Sequence, residues 1–209
     1  MLSQCYRCGA EYEPTHASRI LRRIAYSGMF MPIDPVDLIE KGAQARRERR
    51  LDDAYDAYRQ AAEALRSSGQ EQPLLITALT GLGQIERDRG HLDRAQGHYA
   101  DALAVCRQES SSLRTAHVAR HLGDICRELD KADEAENHLT EAISIYRGSP
   151  DTKVLDLANA IRPLALLKTA QGDAAGAGRL WREAQVLYTA VNVTAGAEEC
   201  SACLLQLDS

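Results

Sequence analysis

One short stretch recurs four times and constrains the fold more than any other feature of the chain. The copies lie at residues 49–62, 90–103, 130–143 and 172–185. Each has an alanine at the same position, which we call the reference alanine: Ala54, Ala95, Ala135 and Ala177. Successive reference alanines are 41, 40 and 42 residues apart. A period held this closely predicts a repeat array and is not typical of a domain with one central core.

Residue size alternates within each copy in a way that predicts closely packed helices. A bulky residue follows the reference alanine by four positions, and a second alanine follows that by three (Tyr58 and Ala61, Tyr99 and Ala102, Leu139 and Ala142, Trp181 and Ala184). A second helical pattern lies upstream, as in Leu79, Leu82 and Gly83. Small and large residues three or four apart share one helical stripe. Each unit is therefore a helical hairpin that needs a neighbour to bury its apolar face.

These motifs, L-G followed by G-x-x-x-x-A and Y-x-x-A, resemble the tetratricopeptide repeat (TPR). The usual unit has about 34 residues, so this chain is more similar to the long-helix repeats of kinesin light chains and bacterial TPR proteins. The resemblance implies an all-α fold, a right-handed α-solenoid of four TPR-like hairpins with a C-terminal capping helix. It predicts repeats at 35–72, 73–111, 112–150 and 151–191 and the capping helix at 194–206, within a solenoid that spans 35–207.

The first repeat departs from the family pattern at two positions. Lys41 stands where the family favours leucine, and Ala45 is small where an aromatic residue is favoured. We therefore expect the first hairpin to be the least stable.

Residues 1–34 do not follow the repeat and are interpreted as an N-terminal appendage with one short helix. Cys5, Cys8 and His16 in this segment form part of a zinc-binding pattern. A closed structural zinc site needs four ligands, and no second C-x-x-C lies nearby. We predict that no metal binds here, with zinc as the alternative.

Composition argues against several classes of protein. The net charge of −5 provides no basic footprint for nucleic acid. No apolar run approaches the roughly 18 residues of a membrane helix, and the N-terminus lacks the apolar core of a signal peptide. We therefore expect a cytoplasmic protein with reduced cysteines that binds neither nucleic acid nor membranes.

Catalytic motifs are also missing from the sequence. It contains no nucleophile elbow, phosphate loop or H-E-x-x-H motif. His117, His121 and Asp124 share one helical face at a spacing that could hold a metal, but Arg120 and Arg127 flank that face and discourage a cation. The chain is predicted to be no enzyme and to need no cofactor.

Arginine recurs at one position of the repeat. Arg46, Arg87 and Arg127 each lie eight residues before the reference alanine. The resemblance implies that this position lines the concave face, together with Thr80, Gln84, His117, Arg120, His121, Asp124, Asn159 and Arg162. A row of guanidiniums suits carboxylates through bidentate contacts. The alternative is that these are solvated side chains paired with the next residues in sequence, Asp88 and Glu128.

We therefore predict a non-catalytic scaffold that binds an acidic or polar protein or peptide partner in an arginine-lined groove. Some family members bind chaperone tails with a Lys/Asn carboxylate clamp, which Ile39 and Ala43 do not reproduce here. Two alternatives remain open. One is a small-molecule-sensing domain of a bacterial regulatory system, and the other is a self-assembling array that forms homo-oligomers.

Overall fold

All the regular structure in the described part of the computed structural model is α-helical. The structure describes residues 34–69, 72–108 and 112–207, and within these ranges there are nine helices and no strand. In chain order they are α1 (Pro35–Arg47), α2 (Leu51–Ser68), α3 (Gln72–Asp88), α4 (Leu92–Gln108), α5 (Ser112–Glu128), α6 (Ala132–Gly148), α7 (Val154–Ala170), α8 (Ala174–Ala190) and α9 (Thr194–Leu207). The all-α prediction is confirmed.

The helices pair in chain order. The first helix of each hairpin (A helix: α1, α3, α5, α7) packs on the second (B helix: α2, α4, α6, α8), and each B helix also packs on the A helix of the next hairpin. The A helices α1 and α3 contact each other directly, as do α5 and α7. Helix α9 packs on α8 and covers the last hairpin. The four hairpins and final helix are those predicted from the repeat.

The turn inside each hairpin passes through one residue with a left-handed backbone. These residues are Arg49 (φ 63°), Gly90 (φ 81°), Asp130 (φ 58°) and Gly172 (φ 75°). The following N–H then donates back to the A helix, as from His91 to the Glu86 carbonyl at 2.8 Å. Glycine adopts this conformation without strain, whereas a side chain makes it costlier.

In the first three hairpins, a bulky residue of the B helix fits over a glycine of the A helix. The reference alanines are all fully buried, as are Tyr99, Leu139 and Trp181. A Cβ added to Gly83 would lie 2.9 Å from the Tyr99 ring, and one added to Gly123 would lie 2.7 Å from Leu139 Cγ. The two helices of a hairpin therefore approach as closely as they do because glycine leaves room for the partner side chain.

Two predictions fall outside the described part of the chain. The appendage, apart from Asp34, and the candidate zinc ligands Cys5, Cys8 and His16 all lie in 1–33. Asp34 itself caps α1, because its Oδ1 accepts a hydrogen bond of 2.9 Å from the Val36 N–H. Among the described helices, none combines the length and the apolar character needed to cross a bilayer.

Candidate functional site

The candidate site is the surface formed by the A helices, which we call the A face. All the predicted groove residues lie on these helices: Arg46 on α1; Thr80, Gln84 and Arg87 on α3; His117, Arg120, His121, Asp124 and Arg127 on α5; Asn159 and Arg162 on α7. The structure joins most of them into networks that run from one repeat to the next.

Arg46 links the first A helix to the second. Its Nε donates to Asp88 Oδ2 at 2.8 Å, and its Nη1 donates to Gln84 Oε1 at 3.0 Å. Asp88 therefore pairs with the arginine of the preceding repeat. The sequence alternative had paired it with Arg87, its neighbour in the chain.

Arg87 makes the equivalent link one repeat later. Its Nη2 donates to Asp124 Oδ2 at 2.7 Å and also to Glu128 Oε1, both on α5. Burial acts to lower the pKa of Arg87, but these two carboxylates outweigh it and raise that pKa. Burial likewise acts to raise the pKa of Asp124, which Arg87 and Arg127 hold below its usual value. Both groups of this half-buried pair are therefore charged near neutral pH.

The row of arginines ends at the third repeat. The positions on α7 that correspond to Asp124 and Glu128 are Leu166 and Ala170, which cannot accept a hydrogen bond. Arg127 instead turns back to Asp124 Oδ1, at 2.8 Å from Nη2 and 3.1 Å from Nε. Its Nη2 also lies 3.5 Å from Oε1 of Glu128, the sequence neighbour that the alternative had paired with it. Each of the three ladder arginines therefore has a carboxylate partner, and the ladder (Arg46, Arg87, Arg127) is largely charge-compensated.

Within the described ranges, Arg120 lies beside two histidines and has no carboxylate partner. Its Nη2 is 2.9 Å from His121 Nε2. A guanidinium has no acceptor, so His121 Nε2 accepts and the imidazole is neutral with its proton on Nδ1. The His121 ring stacks on Tyr99 with centroids 5.3 Å apart and meets the edge of His117 at 4.8 Å.

Both histidines are held in the neutral form. Burial, and after it the nearby Arg120 guanidinium, lowers the pKa of His117 to about 3 and that of His121 well below its usual value. Because His121 Nε2 is already occupied, the spacing of His117, His121 and Asp124 does not produce a metal site. In the described residues, no three His, Cys, Asp or Glu side chains gather as a metal site would require.

Two other predicted residues connect α7 to the C-terminal helices. Asn159 Oδ1 accepts a hydrogen bond of 2.9 Å from the Tyr188 hydroxyl, and burial raises the pKa of Tyr188 to about 12. Arg162 donates to both oxygens of Glu199 on α9, at 2.7 Å from Nε and 2.6 Å from Nη2. Hydrogen bonding to Glu199 raises the pKa of Arg162.

A second ladder, on the B helices, was missed by the sequence analysis. The arginine twelve residues after one reference alanine pairs with the carboxylate six residues after the next: Arg66 with Asp101 (2.7 Å), Arg107 with Glu141 (2.9 Å) and Arg147 with Glu183 (2.7 Å). The two members of each pair are 34 to 36 residues apart in the sequence, so a search for opposite charges at that spacing would have found them.

A buried carboxylate at the turn of the second hairpin was also missed. The Glu86 side chain is 1% exposed, and its oxygens lie 2.8 Å from Arg89 Nη1 and 2.7 Å from His91 Nδ1. The Arg89 guanidinium also lies over the Tyr55 ring, 4.9 Å from its centroid, and pairs with Asp52. The signal in the sequence was a charged residue at a position where the first and third repeats have alanine and cysteine.

Comparisons with known proteins agree on the fold. Protein KINESIN LIGHT CHAIN-RELATED 3 of Arabidopsis thaliana is 24% identical over 110 residues, which are 51% of this chain and 17% of that protein. The apo form of RapI superposes with a TM-score of 0.73 and 14% identity, over 84% of this chain and 63% of that one. A Rap protein complexed with Competence and Sporulation Factor has a TM-score of 0.68 and 16% identity, over 91% of this chain and 52% of that one.

The chain thus spans less than two thirds of each of these three proteins. A family model described as the MalT-like TPR region matches residues 36–208, which include all four hairpins and the final helix. The kinesin light chain relative agrees with the long-helix TPR resemblance, which is confirmed. The chain belongs to the family of MalT-like TPR regions.

Proposed function

We propose that this chain is a non-catalytic interaction module that binds a segment of a partner protein along the A face. One observation carries the proposal: polar side chains at equivalent positions of successive repeats lie on this one face, as Arg46, Arg87 and Arg127 do. A surface with a regular one-repeat spacing suits an extended or helical segment that contacts each repeat in turn.

The ladder favours a polar partner over a purely acidic one. Its guanidiniums already contact Asp88, Asp124 and Glu128. A partner carboxylate would have to displace these carboxylates of the chain itself. A polar segment can instead hydrogen-bond the donors and acceptors that the ion pairs leave unused. Any preference for acidic partners therefore rests on Arg120, whose surroundings differ.

The comparisons support this function only by analogy. The similar Rap protein was solved in a complex with Competence and Sporulation Factor, which supports a partner-binding function for this chain. The low identity limits the likeness to the fold, so the partner itself is not transferred.

Photocrosslinking tests which face the partner uses. Benzoylphenylalanine is placed in the native cell at Thr77, which is exposed on α3 three residues before Thr80, or at Val186, which is exposed on the B helix α8. We expect a discrete partner band, identified by mass spectrometry, from position 77 and none from position 186. A partner trapped only from position 186 would contradict binding along the A face.

Particular residues bear on the two alternatives, small-molecule sensing and self-assembly. A small-molecule-sensing domain would use the same Arg120 surroundings for a small anion. Self-assembly by end-to-end stacking is disfavoured, because the B ladder has no complementary ends: Gln60 stands at its first acidic position and Thr189 at its last arginine position. We therefore expect a monomer by light scattering, and a concentration-dependent oligomer would restore the self-assembly alternative.

We place the module in the cytoplasm. Cys106, Cys126, Cys200 and Cys203 are free thiols in the structure, which suits a reducing compartment.

A further inference from the structure

Arg120 differs from the other arginines of the predicted groove in having no ion pair among the described residues. Arg46, Arg87, Arg127 and Arg162 each contact a carboxylate. Arg120 contacts only the His121 imidazole, and its Nε is buried without a hydrogen-bond partner in the described part of the chain. Leaving a buried donor without a hydrogen bond lowers the stability of the folded state, and a charged donor does so more than a neutral one. The Arg120 guanidinium can therefore still donate a hydrogen bond to a ligand.

Another unsatisfied group lies at the equivalent position one repeat earlier. Thr80 and Arg120 each lie fifteen residues before their reference alanines, Ala95 and Ala135. Thr80 is only 7% exposed, and its Oγ1 has no hydrogen-bond partner in the described residues. Two successive repeats thus carry an unused polar atom at the same place on the A face. The repetition favours a ligand that extends from one repeat to the next.

The chain itself shows what a guanidinium at this position can bind. Arg162, also fifteen residues before its reference alanine, donates to both carboxylate oxygens of Glu199 on α9. Among the residues that the structure describes, no carboxylate lies within ion-pair distance of Arg120. On the next A helix, Asn159 is neutral, and its Oδ1 already accepts from Tyr188.

The groups around Arg120 leave its charge uncompensated. His117 and His121 are neutral, and the nearest acidic member of the A face on the same helix, Asp124, pairs with Arg87 and Arg127. A half-buried cation with neutral neighbours attracts an anion more strongly than an exposed one, because solvent screens it less.

We propose that Arg120 binds a carboxylate of the partner segment, and that the Thr80 hydroxyl hydrogen-bonds the same segment one repeat away. This inference rests on the proposed function and names the chemistry of its anchor. The carboxylate has two sources, an aspartate or glutamate side chain or the C-terminus of the partner chain. Both present the planar pair of oxygens that a guanidinium fork matches.

The test uses the full chain labelled with ¹⁵N-arginine and three acetylated serine-rich pentapeptides as probes. One peptide has a central glutamate and an amidated C-terminus, the second has glutamine in its place, and the third has glutamine and a free C-terminal carboxylate. The Arg120 Nε–H resonance, assigned from its loss in Arg120→Lys, reports directly on the unused donor. We expect it to shift with the first or third peptide and not with the second.

Three substitutions test whether Arg120 and Thr80 are the groups that bind the peptide. Arg120→Gln should weaken binding of the carboxylate peptide about tenfold, as expected for loss of one charged hydrogen-bond donor. Arg107→Gln removes an exposed guanidinium from the surface formed by the B helices, which we call the B face, and should leave the affinity for the peptide unchanged. Thr80→Val should weaken binding by a smaller factor without lowering the melting temperature, because its hydroxyl makes no hydrogen bond in the described structure. Circular dichroism confirms that each variant is folded.

Three outcomes would overturn the inference: equal shifts with the neutral peptide, no shift with either carboxylate, or equal weakening by Arg107→Gln. The source of the carboxylate follows from which of the first and third peptides binds. A partner crosslinked at position 77 whose binding Arg120→Gln leaves unchanged would refute the carboxylate site but leave the proposed function standing. If Arg120 binds the carboxylate probes but no partner is crosslinked on the A face, the carboxylate site would stand and the proposed function would be refuted. That result would favour the small-molecule alternative.

Discussion

The Tyr58 ring packs against Gly42 so closely that a Cβ on the glycine would come within 2.9 Å of ring atom Cδ2. Gly81, on the next A helix, approaches the same ring, and its Cβ would lie 2.6 Å from Cε1. One B-helix side chain therefore fills the gap between two A helices. This arrangement explains why the repeat alternates small and large residues, and it makes the size of the small residue critical.

Gly83→Ala should destabilise the protein by about 1–3 kcal/mol, because the added methyl has to displace the Tyr99 ring inside a packed seam. Gly97→Ala is the matched control, since Gly97 lies within α4 with nothing near its Cβ. That control should stabilise by up to about 1 kcal/mol through helix propensity. Urea denaturation measures both changes. Equal stability of the two variants would mean that the hairpin seam is loosely packed.

Arg49→Gly should stabilise the protein by about 0.5–1 kcal/mol, because Arg49 has a φ of 63° that glycine adopts without steric cost. Gly90→Ala, at the equivalent turn of the second hairpin with a φ of 81°, should destabilise. The melting temperatures of the two variants should move in opposite directions. A lower melting temperature for Arg49→Gly would show that its side chain contributes more than the strain costs.

Acid should destabilise the protein partly through Glu86. Burial acts to raise the pKa of Glu86, but hydrogen bonds from His91 and Arg89 outweigh it and hold the pKa below the ordinary 4.5. A carboxyl with a lowered folded-state pKa contributes stability above the ordinary pKa, and this contribution is lost as pH falls through the folded pKa. The melting temperature should therefore fall more steeply below pH 4.5 in wild type than in Glu86→Gln.

Near neutral pH, Glu86→Gln should lower the free energy of unfolding by about 3 kcal/mol, because it removes one partner of a buried ion pair and leaves the other partner uncompensated. Asp52→Asn is the control, since Asp52 contacts the same Arg89 but is 96% exposed. Parallel melting curves for wild type and Glu86→Gln across the acid range would contradict this account.

The two ladders should differ in strength. A double-mutant cycle on Arg87 and Asp124 should give a coupling energy of about 1–3 kcal/mol, because Asp124 is only 13% exposed. The corresponding cycle on Arg107 and Glu141, on the more exposed B face, should give less than about 1 kcal/mol. High salt should reduce the second coupling more than the first. Equal couplings would show that burial does not separate the two faces.

Hydrogen exchange should be fastest in the first hairpin. Lys41 is exposed at the position where Leu82, Leu122 and Leu164 are buried in the other repeats. Fewer apolar contacts lower the free energy of local opening. The amides of α1 and α2 should therefore exchange before those of α4, α5 and α6, as measured by mass spectrometry. Equal protection would show that opening is global.

Much of the fold could be predicted because it depends on local periodicity. The recurrence of a reference alanine at nearly constant intervals defines one hairpin per copy, and hairpins of this kind can bury their apolar faces only by stacking. The small residue at the position of Gly83 and the bulky residue at the position of Tyr99 then determine which side of the A helix packs against the B helix. The number of hairpins and the covering role of α9 follow from these patterns.

The partners of the charged residues were decided by tertiary structure. Neighbouring residues on a helix point in different directions, so Arg87 does not face Asp88. Arg87 meets Asp124 and Glu128 instead, because stacking brings α5 alongside α3. A hydrogen bond requires atoms within about 3 Å, and that precision depends on how two helices pack. The sequence by itself determined which residues lie on the A helices, whereas only the packing of those helices left Arg120 without a carboxylate partner among the described residues.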